Sequence, residues 1–312
     1  MNGVELLERV EAGGLIAGPD PLLVMLSGGR DSVCVLDLAV RARGAAAVGA
    51  LHVDYGLRAE SGEDAQFCKR LCERLGVAIQ VERPERSEGS GNLQAWAREV
   101  RYAAAERLAE AAGATIVTGH TADDQVETIL YRLASSPSRR ALLGMSPRVG
   151  RLARPLLGTS RAEVTAYCEE RGLEWRDDAG NEGDAFARNR IRSGLIPQLE
   201  RAHPAARENV LRTAALLREE AELLDSLVDA ELAGGEGAEP GTISHRRFAE
   251  LHPALRRLVL QRLADEAAGR PVAGAARFAD QVASLRRGGS QLDLGSGVRA
   301  VLEGGVLRAE RS

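Results

Sequence analysis

The feature of this sequence that most constrains its fold is an apolar run that stops at two glycines and is followed at once by a helical pattern. The run is Leu22–Leu26, the turn is SGGRDS (Ser27–Ser32), and helical periodicity continues to about Ala42. A glycine turn between a strand and a helix directs backbone N–H groups and the positive helix end at one point, where anions bind. The segment therefore predicts a strand–turn–helix unit with a phosphate-binding turn.

The alternation of strand and helix patterns continues through the first half of the chain. Further strands are predicted in AAAVGALHVDYG, VAIQVER and TIVTGH, with the helices EDAQFCKRLCERLG and NLQAWAREVRYAAAERLAEAAG between them. This pattern is typical of a Rossmann-like α/β fold, a parallel sheet with helices on both faces. Ligands of such sheets bind beyond the carboxyl ends of the strands. We expect Ser27–Ser32, Asp54 and His120–Glu127 to meet at that edge.

The pattern changes near residue 202, which predicts two domains. We expect an α/β catalytic domain over 1–201 and a smaller, mostly helical domain over 202–312. The second domain is expected to hold a long amphipathic helix, a linker-like GGEGAEPG, a helical segment His245–Ala268 and a short Gly-rich, strand-like tail.

Composition and charge exclude several classes of protein. Of 312 residues, 44% are hydrophobic and 28% are charged, which is typical of a globular chain. No apolar stretch approaches the roughly 18 residues of a membrane span, and the acidic N-terminus does not resemble a secretory signal. We expect a cytoplasmic protein without a membrane partner. The net charge of −4 argues against a uniformly basic surface, but seven arginines and no acid fall within Arg132–Arg161.

Asp31 limits what the glycine turn can bind. The Walker motif G-x-x-x-x-G-K-S/T and the dinucleotide motif G-x-G-x-x-G are both absent. A carboxylate beside polyphosphate is repulsive unless a divalent cation lies between them, and Mg²⁺ is usually held by one or two carboxylates and phosphate oxygens. The turn therefore predicts a Mg²⁺–triphosphate complex. The simpler alternative is that Asp31 only caps the helix.

The motifs together resemble a known family. S-G-G-x-D-S is similar to the PP-loop of N-type ATP pyrophosphatases, which split ATP between the α and β phosphates. The segments LHVDYGLR, AREVRY, GHTADDQVET, LLGM, RPLL and RNRIRSGLIPQL follow in one order and resemble the tRNA(Ile)-lysidine synthetase family over about residues 20–200. The resemblance implies a ligase. In that family ATP adenylates C2 of the wobble cytidine of the CAU-anticodon isoleucine tRNA, and lysine then displaces AMP to form lysidine.

The resemblance also implies roles for particular residues. It implies ATP binding by Ser27, Gly28, Gly29, Arg30, Asp31 and Ser32, and catalysis by Asp31, Asp124 and Glu127. Asp124 and Glu127, which share a helix face, would bind lysine, and Asp31 and Asp123 would bind Mg²⁺, with fold support as the other role open to Asp123. The arginines implied to contact tRNA are Arg139, Arg140, Arg188, Arg190 and Arg192. Helix-dipole complementarity for the acids and an exposed surface run for the arginines are the plainer alternatives.

Some features depart from the family. The segment RLASSPSRRALLGM lacks the glycines that the family commonly carries before its GL-x-GM stretch, Tyr55 replaces a frequent histidine, and we expect the additional C-terminal domain of longer members to be absent. A tRNA 2-thiolation enzyme of the same superfamily is one alternative, although the C-x-x-C pairs it typically needs are absent. A non-catalytic ATP-binding protein is another. The sequence leaves the oligomeric state open, with a homodimer as one option.

Overall fold

The computed structural model describes residues 3–56, 61–85, 93–136, 139–176, 187–233, 241–286 and 289–312. The chain divides into two compact units, Met1–Ala214 and Ala215–Ser312. The sequence predicts a boundary at residues 201–202, and the two compact units divide thirteen residues later, within a long helix.

The first unit is built on a six-stranded sheet with the strand order β3-β2-β1-β4-β6-β5. All neighbouring strands are parallel except the edge pair β5–β6, which is antiparallel. Both faces of β1 are covered by helices, so all four of its residues are buried. The strands are β1 Leu22–Met25, β2 Val48–Val53, β3 Ala78–Glu82, β4 Thr115–Val117, β5 Arg148–Val149 and β6 Leu152–Ala153.

The helices of the first unit include each one that the sequence pattern predicts there. Their bounds are α1 Gly3–Ala12, α2 Arg30–Arg43, α3 Ser61–Leu75, α4 Leu93–Ala112, α5 Ala122–Ser135, α6 Arg139–Leu142, α7 Arg161–Glu170, α8 Ala187–Arg190, α9 Ile196–Ala202 and the start of α10 Ala206–Leu232. Ser160 caps α7, since its hydroxyl accepts from the Glu163 N–H and the Glu163 carboxylate accepts from the Ser160 N–H. The predicted α/β class with a parallel sheet is confirmed.

A buried acid ties the helix after the glycine turn to α7. Asp37 on α2 is 1% exposed and accepts hydrogen bonds from the Tyr167 hydroxyl at 2.5 Å and from Arg171 Nε at 3.2 Å. Both donors come from α7 or the residue that follows it. Because a buried carboxylate must be paired, these contacts fix α2 against α7 and so fix the start of α2, where the turn lies.

The second unit combines helices with an antiparallel sheet. Its helices after α10 are α11 His245–Glu250, α12 Pro253–Ala268 and α13 Ala279–Ala283. Its strands, in the order β7-β10-β9-β8, are β7 Thr242–Ser244, β8 Ser290–Gly295, β9 Val298–Glu303 and β10 Val306–Arg311. The Gly-rich tail predicted as strand-like is a three-stranded meander that Thr242–Ser244 extends. Phe248, Leu260 and Leu294 lie fully buried in its core.

Within the described residues, no helix is both long enough and apolar enough to cross a membrane.

Candidate active site

A cavity of about 340 Å³ opens at the carboxyl edge of the parallel sheet. Residues that follow three different strands line it, as expected for a ligand site in an α/β sheet. Ser27 follows β1, Asp54 follows β2 and His120 follows β4. Of the segments predicted to meet at this edge, all three therefore contribute to one cavity.

The glycine turn is held by hydrogen bonds among its own residues. The Ser27 N–H donates to Ser32 Oγ at 3.2 Å, and the Ser32 hydroxyl donates to the Gly29 carbonyl at 2.8 Å. Gly28 has φ +89°, which a residue with a side chain rarely adopts, and a Cβ there would lie 3.3 Å from Cys68 Sγ. The turn and the first residues of α2 are thus preformed.

Asp31 lies in the first turn of α2 and lines the cavity. It does not cap the helix: the N-cap is Gly29, which has no side chain to bond the first N–H groups of α2. Arg30 Nε lies 3.2 Å from one carboxylate oxygen and Arg161 Nε lies 3.8 Å from the other. Burial raises the pKa of Asp31, while Arg30 and Arg161 oppose that rise and Asp124 adds to it. The carboxylate therefore sits in a partly desolvated, charged setting.

Asp124 has two functions at the start of α5. Its Oδ2 accepts from the Thr121 N–H at 2.8 Å, which completes a capping box with the Thr121 hydroxyl. Its Oδ1 lies 3.2 Å from Arg161 Nη2. The plainer interpretation, an acid that stabilises a helix N-terminus, accounts for one oxygen, and the other faces the neighbouring charges.

Glu127 lies one turn further along α5 and is only 3% exposed. Arg192 binds it through two nitrogens, Nε to Oε1 at 2.5 Å and Nη2 to Oε2 at 3.0 Å. Arg161 Nη1 lies 3.9 Å from Oε1. Arg161 thus touches Asp31, Asp124 and Glu127, and it links the acid of the glycine turn to the two acids of α5.

Asp123 is bound entirely by protein donors. One oxygen accepts from the Arg161 backbone N–H at 2.7 Å and the other pairs with Arg207 Nη1 at 2.7 Å. Of the two roles that the sequence leaves open for Asp123, these contacts favour fold support. Within the described residues, no group of three or more His, Cys, Asp or Glu side chains could hold a metal ion by itself.

Arg161 and Arg207 belong to the site and were not identified from the sequence. The sequence feature that points to Arg161 is its position directly after the helix cap Ser160, in the segment that follows the short strand β6. That strand has two residues and therefore no periodicity to detect. Arg207 carries no local signal, because only the fold brings α10 beside α5.

Of the five arginines predicted to contact tRNA, the structure describes the side chains of Arg190 and Arg192. Arg192 is bound to Glu127, and Arg190 is exposed at the end of α8. Arg139 and Arg140 form the start of α6 and Arg188 lies in α8, but their side chains fall outside the described part of the structure. Residues 137–138 of the segment RLASSPSRRALLGM also fall outside it. What the structure adds is that α8 continues into a π-helical turn, Ile191–Leu195, which carries Arg192.

His120 is a neutral side chain in this site. Its Nδ1 lies 2.8 Å from the Thr118 hydroxyl. Burial, together with the charges of Arg154, Arg101 and Arg98, lowers the pKa of His120 to about 4, against the opposing charge of Asp124. Near neutral pH the imidazole is therefore uncharged.

The four cysteines do not line the cavity. All are buried and free. Burial raises the pKa of the Cys68 thiol to about 12 and that of Cys72 to about 11, and contact with Cys168 together with burial raises the pKa of Cys34. Because the thiolate is the nucleophile and the metal ligand, these side chains are unsuited to sulfur chemistry.

A family model for the PP-loop domain matches residues 6–199. Among curated proteins, the chain is 39% identical over 298 residues to a tRNA(Ile)-lysidine synthase of Thermus thermophilus, covering 94% of this chain and 57% of that protein. It is 37% identical over 329 residues to the same-named protein of Symbiobacterium thermophilum, covering 98% and 68%. A Pseudomonas syringae relative is 40% identical over 226 residues, covering 70% and 50%. The chain thus spans between half and two thirds of the length of most of these relatives.

Among solved structures, the chain is similar in fold to the U34-tRNA thiolase NcsA from Methanococcus maripaludis, a structure that holds a 4Fe–4S cluster. The TM-score is 0.57 at 17% sequence identity, covering 69% of this chain and 78% of the thiolase. At this identity the likeness supports the fold of the sheet and helices.

Proposed function

The chain belongs to the PP-loop family and, within it, to the tRNA(Ile)-lysidine synthases, and from this membership we propose that it is an ATP-dependent ligase that makes lysidine. It adenylates the C2 oxygen of the wobble cytidine in the CAU-anticodon isoleucine tRNA and then joins lysine to C2. The substrates are ATP, lysine and the tRNA.

One juxtaposition carries this proposal. A preformed anion-binding turn and three carboxylates, those of Asp31, Asp124 and Glu127, are linked by a single arginine at the same sheet edge. An ATP-binding protein without turnover needs the turn but has no use for two further acids beside it. A ligase that brings an ammonium group to an adenylated base needs both.

Mg²⁺ fits this site through Asp31. Its carboxylate and the hydroxyls of Ser27 and Ser32 line the cavity and are hard oxygen donors of the kind that Mg²⁺ accepts. One carboxylate is enough when phosphate oxygens fill the other positions. When bound, the ion would neutralise charge on the triphosphate and on the leaving pyrophosphate.

In the first step the cytosine C2 oxygen attacks the α-phosphorus of ATP, and pyrophosphate leaves. The turn Ser27–Ser32 and the N-terminus of α2 offer N–H groups to the phosphate oxygens, which stabilises the charge that develops there. Rigid support of α2 by Asp37 keeps these donors in place.

In the second step the lysine Nε attacks C2, and AMP leaves with the former C2 oxygen. Asp124 and Glu127 bind the arriving ammonium group, which exchanges with an arginine at these oxygens. The amine must lose a proton before it attacks. The pair therefore sets both the affinity for lysine and its orientation.

Arginines near the site bind the phosphates of the tRNA. We assign this role to the predicted set on α6, α8 and the π-helical turn, of which Arg190 is exposed. The C-terminal domain that the sequence predicts over 202–312 supplies further tRNA contacts. We place the protein in the cytoplasm, where its substrates are.

The thiolase alternative has weaker support. The four buried cysteines form no C-x-x-C pair and lie outside the cavity lining. Sulfur transfer needs a thiolate or a cluster, and the raised pKa values of Cys34, Cys68 and Cys72 oppose the former.

The experiment that tests the function uses the full chain with ATP, Mg²⁺, lysine and isoleucine tRNA bearing CAU. We expect AMP and pyrophosphate release that depends on lysine and on the tRNA. Asp31→Ala should abolish adenylation. AMP release that is independent of lysine, or no release at all, would overturn the proposal.

A further inference from the structure

Three arginines converge on Tyr102 and His120 at the cavity. Arg98 and Arg101 lie on α4. The central guanidinium carbon lies 4.6 Å from the centre of the Tyr102 ring in Arg98 and 5.6 Å from it in Arg101. Arg154 directly follows β6 and acts electrostatically on both Tyr102 and His120. Arg101, Tyr102 and His120 line the same cavity as Ser27, Asp31 and Ser32.

Three hydrogen-bond donors in this group have no acceptor among the described residues. They are Arg101 Nε, the Tyr102 O–H and Arg154 Nε, and all three atoms are inaccessible to solvent. Arg154 as a whole is only 7% exposed; its Nη1 donates to the Ser146 carbonyl at 2.7 Å, and its guanidinium also donates to the Tyr102 oxygen. A buried donor left unpaired costs free energy, so a fold that keeps three together indicates a ligand that accepts from them.

The charges of these arginines are also uncompensated in the part of the chain that the structure describes. Arg161, Arg192 and Arg207 nearby each pair with a carboxylate. By contrast, the groups that act on Arg154 besides burial are Tyr102 and another cation, Arg98, and burial lowers its pKa. Of the three arginines around Tyr102, Arg154 is the buried one, and because a buried cation without a counter-charge is unfavourable, the missing partner is an anion.

We infer that Arg98, Arg101, Tyr102 and Arg154 form a binding site for a phosphate-class oxyanion, separate from the glycine turn and at the side of the cavity that Arg101 and Tyr102 line. Three single donors and three positive charges match a phosphoryl group, which carries more charge and more acceptor oxygens than a carboxylate. Which substrate brings this phosphate, ATP or the RNA backbone, rests on the proposed function.

The first test measures binding of pyrophosphate and of inorganic phosphate to the full chain by calorimetry, without any turnover. Tyr102→Phe removes one donor and little else, and Arg101→Gln removes one charge. We expect each variant to bind pyrophosphate about tenfold more weakly or worse, since hydrogen bonds to charged groups are the strong class. The matched control is Arg107→Gln, on the same helix and paired at the surface with Glu82, which should bind as the wild type does.

The second test identifies the source of the phosphate. If ATP supplies it, the variants raise the KM for ATP and leave affinity for the anticodon stem-loop unchanged; if RNA supplies it, they weaken stem-loop binding and leave the ATP KM unchanged. Either outcome supports the inference. Wild-type binding of pyrophosphate and of the stem-loop by Tyr102→Phe and Arg101→Gln would overturn it, as would a rise confined to the KM for lysine. Because the binding arms need no lysidine formation, their failure is distinguishable from failure of the proposed function.

Discussion

Asp123, Asp124 and Glu127 lie within five residues of one another in the sequence, but their surroundings give them different chemistry. Both oxygens of Asp123 accept from protein donors, and one oxygen of Asp124 accepts a hydrogen bond in the helix cap. Glu127 is 3% exposed, and both its oxygens face guanidinium groups that a substrate ammonium could replace. Of the three, Glu127 is therefore the one whose two oxygens are both held by arginine side chains and not by backbone N–H groups.

Replacing Glu127 should affect lysine more than ATP. Glu127→Gln keeps the shape of the side chain and removes its charge, so we expect the KM for lysine to rise about tenfold or more while the KM for ATP changes little. Steady-state kinetics with the lysine concentration varied measure this. Glu82→Gln, which also breaks a glutamate–arginine pair but outside the site, is the control. A lysine KM equal to that of the wild type in a variant with unchanged melting temperature would remove this assignment.

His120 should make the first unit less stable as the pH falls from about 6.5 to about 4. The unfolded chain takes up a proton at His120 near pH 6.5, whereas burial delays this in the folded protein to about pH 4. Over that window the unfolded state binds the additional proton, so the free energy of unfolding falls, by on the order of 1 kcal/mol per pH unit.

Urea denaturation of the wild type and of His120→Asn at pH 7 and at pH 5 measures this contribution, because all other titrating groups are common to both proteins. The variant should lose less stability between the two pH values. Equal losses would show that His120 does not carry the effect.

At the scale of elements, the sequence predicts the units that have a periodicity of their own. Strands β1 to β4 and helices α2 to α4 follow from apolar spacing and glycine turns, and the structure confirms them. Strands β5 and β6 have two residues each and leave no pattern, although β6 is what brings Arg154 to the carboxyl edge. The motif therefore identifies the candidate acids and their partners Arg30 and Arg192, but not their partners Arg161 and Arg207.

The contact between β4 and α2 provides a test of how closely these elements must approach. A Cβ on Gly119, which follows β4, would lie 2.5 Å from the Asp31 carbonyl oxygen and 2.7 Å from its carbon, both backbone atoms that cannot turn aside. We expect Gly119→Ala to cost about 1–3 kcal/mol and to displace the start of α2. The melting temperature should fall by several degrees, at roughly 2–4 °C per kcal/mol.

Affinity for ATP, measured by calorimetry, should weaken in the same variant because the phosphate turn moves with α2. Gly158→Ala is the matched control, since a Cβ there meets nothing within 4 Å. A Gly119→Ala protein that melts and binds ATP like the wild type would contradict the packing described for this edge.

For the whole molecule, the net charge of −4 and the proposed binding of RNA are compatible because the charges are segregated. Arg161 and Arg192 pair with the acids of the site, while the run Arg132–Arg161 contains no acid at all. Phosphate binding by such a local surface depends on the number of contacts and not on the sign of the total charge.

Arg190 should contribute to tRNA affinity through a phosphate contact. We expect Arg190→Gln to weaken binding of the isoleucine tRNA at low salt and to make the plot of log K against log salt concentration shallower by about one unit. Filter binding over a salt series measures both effects. Arg74→Gln, at an exposed pair on α3, should leave the slope unchanged. An unaltered slope in the Arg190 variant would assign that side chain a role other than phosphate contact.

The most direct test of the central claim is the chemical identity of the product. Isoleucine tRNA with a CAU anticodon is incubated with the full chain, ATP, Mg²⁺ and isotopically labelled lysine, and the wobble nucleoside is isolated and analysed by mass spectrometry. The account predicts a cytidine joined through C2 to the labelled lysine, formed by the wild type and sharply reduced in Glu127→Gln at limiting lysine. An unmodified wobble cytidine, or one that carries sulfur in place of the C2 oxygen, would contradict it.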